Sequence, residues 1–496
     1  MKFNRKGIHV RRSGSNVRFG LCCLAALAAA AECSAPLQAQ TAACPTPAAH
    51  SPDETAAASA ADDASPANNS LAAKAPIAEY RSKHFLVRTD LAKDRADALV
   101  ERLEATLRIV EKYWGRPSRG RIECYVVDDL ANWSDDALPH PLARVLVGGV
   151  GGATVVRSQR EGKRIKHKPE VYASARPGVA EHESVHAYCT SAFGATGPDW
   201  YREGMADRAY YHRHGERDVQ LPPDTMASLK QGKRRTLHEI VNRGRITGEL
   251  SQSVDKLLAE HEADRQIQGL SGEAKNVPLE AWRPEHEQDV KTARESYLWS
   301  WALCHLLCEN PNYAPRFRAL GLGYLTGQSA KFEQAFDAVS REMSFEYDLF
   351  LQHVEQGYRV DLCVWDWNKS FLSAAERTAI VASVSAARGY QPSGLKVRAG
   401  ERIAYAASGA WTLDAEGDAL SADGAAGGRG RLVGALFDEF KLSEPFELGA
   451  RGAFTAPAAG KLYLRCRDDW GSLADNRGVV SVRFSTPEER QESSDR

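Results

Sequence analysis

The sequence predicts an α+β protein in two folded parts: a mixed sheet with helices and a helical second half, followed by a C-terminal all-β sandwich. Three observations lead there. Between His84 and Ser174, short β-like runs alternate with one long stretch of helical periodicity. From Leu237 to Tyr358 the chain reads as mostly helical. Beyond Ser393 short β runs are separated by turn glycines, the texture of a sandwich.

A chain of 496 residues exceeds one compact core. With 64 Lys plus Arg against 65 Asp plus Glu, nothing in the charge balance directs it to nucleic acid or to an anionic membrane. Residues 1–39 read as a signal peptide, with a basic leader (Lys2, Arg5, Lys6, Arg11, Arg12, Arg18), an apolar run from Phe19 to Ala31, and a small-residue site ending at Ala39. That run falls short of the roughly 20 residues a bilayer needs, so export to the periplasm, the cell surface or the medium is expected, without stable membrane insertion. Residues 40–76, rich in Ala, Ser and Pro, are expected to be a disordered linker. The first folded part is expected at 77–360, a connecting segment at 361–392, the sandwich at 393–486 and a disordered tail at 487–496.

Order begins with the strand-like His84 to Arg88. A helix from Ala92 to Tyr113 follows, because Leu99, Leu103, Leu107 and Val110 recur on one face. Arg121 to Val127, Gly151 to Val156 and Glu170 to Ser174 are three further strands. The glycines at 148, 149, 151 and 152 fit neither the dinucleotide nor the P-loop spacing and suit an edge strand better. Arg157 to Lys168 holds Arg157, Arg160, Lys163, Arg164, Lys166 and Lys168 and reads as a solvated hairpin rather than an anionic-substrate patch. Cys304 and Cys308, one helical turn apart, suit either buried thiols on an apolar face or half of a metal site.

The chemistry gathers at Pro177 to Tyr188, which contains His182-Glu183-x-x-His186. Residues four apart share a helix face, so both imidazoles can reach one Zn²⁺, with Glu183 one step round as general base for a water held by the metal. The segment Asp199 to Asp207 supplies a carboxylate at Glu203 as third ligand, leaving a fourth position open, as catalysis requires. Asp207, one turn beyond, is placed to orient a zinc histidine.

HExxH followed by W-x-x-E-G-x-A, with 16 residues between His186 and Glu203, resembles the gluzincin clan of metallopeptidases in a compact form. The resemblance spans residues 80 to 358, and its specific part is 177 to 207. It implies peptide-bond hydrolysis of a polypeptide substrate, a substrate-pairing edge strand at Gly151 to Val156, and a helical half behind the metal. Such enzymes often carry a Tyr or His that stabilises the oxyanion, and Tyr297 is the candidate here, with His212, His214 and His238 as alternatives. The competing expectation is an exported binding protein, without catalysis, on the same scaffold.

In the C-terminal part, Asp468 to Gly478 followed by the strand Val479 to Phe484 resembles the calcium-dependent galactose-binding lectins of the PA-IL type. The resemblance implies a glycan ligand, with Ca²⁺ on Asp468, Asp475 and Asn476 and a main-chain oxygen near Ser472, although Arg467 and Arg477 depart from the lectin pattern. The bland reading is a tight loop held by Asp and Asn.

Overall fold

The computed structural model describes residues 18–24, 76–161, 164–211, 221, 223–242, 248–267, 276–376 and 379–485. The linker and tail expected at 40–76 and 487–496, together with His212 and His214, lie outside them, apart from the linker's last residue. The described chain is mixed α and β, with a β-rich C-terminal part.

The first sheet holds β1 (Arg18–Leu24), β2 (Ala78–Arg81), β3 (Phe85–Thr89), β4 (Ile122–Val127), β5 (Gly152–Glu161) and β6 (Arg164–Ser174), in the order β1-β5-β6-β4-β3-β2. β3, β4 and β6 run parallel, and the other pairings are antiparallel. The strand expected at the edge, β5, therefore carries β1 on its outer side, and β1 lies within the segment read as a leader.

Between β3 and β4 runs α1 (Lys93–Trp114), which buries Leu99, Leu103, Leu107 and Val110. Gly115 ends it at φ 72°, a left-handed turn that favours glycine, and returns its N–H to Glu111 O. The pleat sends Val87, Cys124, Val126, Val171 and Ala173 to the core shared with the helices. Tyr125, Tyr172, Ala153 and Val155 go to a second core on the opposite face. Register sets Tyr125 opposite Tyr172, and their rings stack with centroids 4.8 Å apart.

The helices that follow are α2 (Val179–Phe193), α3 (Asp199–Tyr211), α4 (Pro223–Gln231), α5 (Leu237–Asn242), α6 (Gly248–Ile267), α7 (Pro284–Glu309), α8 (Ala314–Leu325), α9 (Phe332–Phe336) and α10 (Ser340–His353). Among the described residues no helix is long and apolar enough to cross a membrane.

The C-terminal strands are β7 (Leu372–Ser373), β8 (Ile380–Ser385), β9 (Gln391–Val397), β10 (Arg402–Thr412), β11 (Leu432–Asp438), β12 (Lys441–Leu442), β13 (Phe446–Glu447), β14 (Arg451–Thr455), β15 (Gly460–Cys466) and β16 (Arg477–Ser485). One sheet runs β14-β10-β16-β8 and the other β12-β11-β15-β9-β7, with β13 also on β11. This corrects the expected start of the sandwich at 393: β8, inside the segment read as a connector, pairs with β16 along its full length and puts Ile380, Ala382 and Val384 into the sandwich core.

Helical half and sandwich share one core, which takes in Ala435, Phe437, Tyr463, Trp470 and Leu473. The connector supplies Trp365, fully buried, with its ring 4.0 Å from Tyr463 and 5.2 Å from Phe437. Beneath it Glu346 of α10 is a buried carboxylate with its donors arranged around it. It accepts from Asn310 Nδ2 (2.5 Å), Asn312 Nδ2 (3.2 Å), Tyr313 OH (2.7 Å), Trp367 Nε1 (2.8 Å) and Trp365 N (3.3 Å). Burial raises its pKa, and the donors oppose that rise. Truncation to Ala would strand several buried donors, so Glu346→Ala is expected to destabilise the protein by about 3 kcal/mol, read as a lower urea midpoint. A midpoint within error of the parent would show that water replaces the carboxylate.

Candidate metal centre

The site is built by two helices that enter it through glycine turns. Gly178, at φ 86°, swings the chain from β6 into α2, and Gly194, at φ 78°, closes α2 by donating its N–H to Thr190 O. All of α2 from Val179 to Thr190 is buried, which is why it lacks a polar face despite carrying two histidines and two glutamates. Its histidines present Nε2 atoms 3.1 Å apart, with ring planes 76° from each other.

The third donor comes from α3. Glu203 Oε2 lies 3.3 Å from His182 Nε2 and 3.5 Å from His186 Nε2. Its other oxygen accepts from Arg202 Nε at 2.8 Å, and Arg202 is held in turn by Asp199 at 3.0 Å. Oε2 is buried with no hydrogen-bond donor of its own. Among the described residues His182, His186 and Glu203 form the group that could hold a metal ion, and all three are buried. The sequence placed these three together, and the structure does so as well.

Asp207, one turn along α3, accepts from His182 Nδ1 at 2.8 Å. That bond fixes the tautomer and aims the Nε2 lone pair at Glu203 and His186. The remaining motif residues have packing reasons. Trp200 sits among Phe317, Tyr324 and Phe332, and Ala206 is fully buried. A Cβ on Gly204 would lie 2.4 Å from the carbonyl oxygen of Ser300, so glycine is what lets α7 press against α3 beside Glu203.

Electrostatics divide the cluster. Burial acts on every member and would lower both histidines. The hydrogen bond of His182 to Asp207 and the neighbouring Glu203 carboxylate overcome it and hold that ring well above its usual value, whereas burial prevails at His186 and takes it down to about 4. Burial would likewise raise Glu203, but the Arg202 charge and the two histidines hold it well below the usual carboxylate range. Three electron-pair donors converge in a dry space where one proton or one cation must sit.

Glu183 is fully buried, and burial pushes its pKa up to about 8 against the opposing pull of His182 and Thr154. Its Oε2 accepts from the hydroxyl of Thr154 at 2.9 Å, and that hydroxyl also lies 2.8 Å from the Glu183 carbonyl oxygen. Oε1 has no hydrogen-bond partner. Thr154 and Arg202 went unread in the sequence. Thr154 comes from β5, 29 positions away, and half of that strand is polar, so a threonine in it carries no signal of its own.

Tyr297 lies in α7, buried in the second core beside Val290 and Ala293. His238, on α5, is exposed. Cys304 is buried with its thiol toward Trp200 O, and Cys308 is half-buried beside Tyr113 OH and Met205. Cys124, Cys189, Cys304, Cys308, Cys363 and Cys466 are free thiols.

In the C-terminal loop, Asp468 is buried and bonded to Arg429, Asn476 is buried and donates to Ala386 O at 3.2 Å, and Asp475 is exposed.

No family model matches the chain, and no curated protein does. Among solved structures, the EclA N-terminal domain, a PllA-like lectin, is similar at 26% identity over 21% of this chain and 94% of its own, with a TM-score of 0.19.

Proposed function

We propose that the chain is an exported zinc metallopeptidase with a gluzincin-like catalytic unit, acting on polypeptides. The observation that carries this reading is the triangle of donor atoms. Zinc bonds of about 2.0–2.1 Å to nitrogen and oxygen place the ligand atoms of a tetrahedron roughly 3.3 Å apart. The three separations here are 3.1, 3.3 and 3.5 Å, and the oxygen involved is the one left without a donor. Two imidazoles and one carboxylate are the ligand set of hydrolytic zinc, and three protein ligands leave a position for substrate or water.

Zinc held there would polarise the scissile carbonyl and acidify a water. The rest is done by the chain's own groups. Asp207 keeps His182 in the ligating tautomer, and Arg202 fixes the Glu203 carboxylate so that one oxygen points inward. The Thr154 hydroxyl holds Glu183 Oε2, leaving Oε1 free to take a proton and return it to the leaving amine. A cation beside Glu183 favours its ionised form, which the base requires.

The test is metal analysis of purified protein joined to cleavage of an unstructured protein substrate. One equivalent of zinc, cleavage lost on chelation, and recovery with added zinc are expected. Folded protein that takes up no zinc, or full zinc occupancy with no hydrolysis of any polypeptide offered, would overturn the proposal.

A further inference from the structure

The loop after β15 resembles a calcium site in sequence, yet its buried carboxylate already has a cation. Asp468, with its side chain 1% exposed, accepts from Arg429 Nε at 2.8 Å. The same guanidinium donates to Asp414 Oδ2 from Nη1 and to Asp414 Oδ1 from Nη2, each at 3.2 Å, and from Nη2 to Leu413 O, also at 3.2 Å. Three carboxylate oxygens and one main-chain oxygen, drawn from separate loops, thus converge on one positive group. Hard oxygens from carboxylates and carbonyls are the donors Ca²⁺ takes, but a planar guanidinium satisfies them through directed hydrogen bonds and brings its own tether.

We propose that Arg429 is the resident cation of this loop, taking the place of calcium, and that the loop serves to dock the sandwich on the helical half. A second set of contacts supports the docking role. Trp470, 6% exposed, lies under the Arg465 guanidinium at 3.7 Å and against the rings of His353 (4.8 Å) and Tyr358 (5.0 Å) from the helical half. Arg465 also donates to Asp468 O, so two arginines grip the loop from its two sides. Leu473 is fully buried in the shared core, and a Cβ on Gly357 would come within 3.0 Å of Gly471 Cα. Asp475, which the calcium reading needs as a ligand, is exposed. Asp468 Oδ2 and Asn476 Oδ1 are buried without a hydrogen-bond partner, so a metal entering here would meet them beside Arg429, and the guanidinium charge a few ångströms away is what stands against it.

Thermal unfolding of the full chain in calcium, in magnesium and in chelator tests this. The parent protein should melt at one temperature in all three. Arg429→Ala should melt several degrees lower in chelator and recover part of the loss with calcium but not magnesium, because vacating the guanidinium frees an oxygen set suited to the larger ion. Arg429→Lys, which retains the charge, should keep the indifference to calcium and lose less stability. If Arg429→Ala does not fold, the parent and the Lys variant still decide. A parent protein stabilised by calcium would overturn the proposal, as would an Arg429→Ala protein that melts like the parent or ignores calcium.

Discussion

Glu183→Gln is expected to abolish peptide hydrolysis while zinc content and melting temperature stay at parental values. The substitution is isosteric and removes no ligand, because the three converging donors are His182, His186 and Glu203. It removes the group that accepts a proton, and positioned general bases contribute about 10²–10⁴-fold to rate. A Gln side chain can still accept from the Thr154 hydroxyl through its carbonyl oxygen, so the local packing has no reason to change. Thr154 gives a graded companion. Thr154→Val should lower kcat by about tenfold with KM and zinc content unchanged, because the carboxylate stays in place but is no longer held at one oxygen. Thr154→Ser should restore turnover. Parental activity in Glu183→Gln would remove the base from the mechanism and with it the reason for Thr154.

What could be read in the sequence depended on whether partners lay within a few turns of each other. His182, Glu183 and His186 follow from helical geometry alone, and Glu203 with Asp207 from a second short helix, with 16 residues between His186 and Glu203. Thr154 depends on how β5 lies against α2, which no local pattern encodes. The sandwich was legible by texture but not by boundary. Ile380 to Ser385 alternates buried and exposed as an outer strand should, yet it lies in a stretch read as a connector. β11 is buried through six consecutive residues and β15 through its last five, because the helical half covers one face of their sheet and the sandwich core the other. Strands buried on both faces lose alternation, so sequence could not show that this sheet is an interface. The cation of the Asp468 loop was missed for a related reason: Arg429 is 39 residues from Asp468 and meets it only when β11 and β15 pair.

Glu203→Ala should weaken zinc binding far more than Asp207→Ala, and the gap between them tests which carboxylate of α3 is the ligand. Both residues are buried, both are acidic, and both lie against His182, at 3.3 Å from Nε2 for Glu203 and 2.8 Å from Nδ1 for Asp207. The two ring nitrogens distinguish them. Nε2 faces His186 and the inward oxygen of Glu203, whereas Nδ1 faces away and gives its proton to Asp207. Loss of an orienting partner typically costs about 10–100-fold in metal affinity. Loss of one ligand in three removes a share of an apparent zinc binding energy of about 10–16 kcal/mol, which corresponds to an effect of order 10³-fold. Competition against a chromophoric chelator at fixed pH measures both. Asp207→Asn should fall between Asp207→Ala and the parent, since its amide oxygen can accept the Nδ1 proton without the charge. Equal and small losses at positions 203 and 207 would mean that the metal, if bound, takes its third ligand from another element.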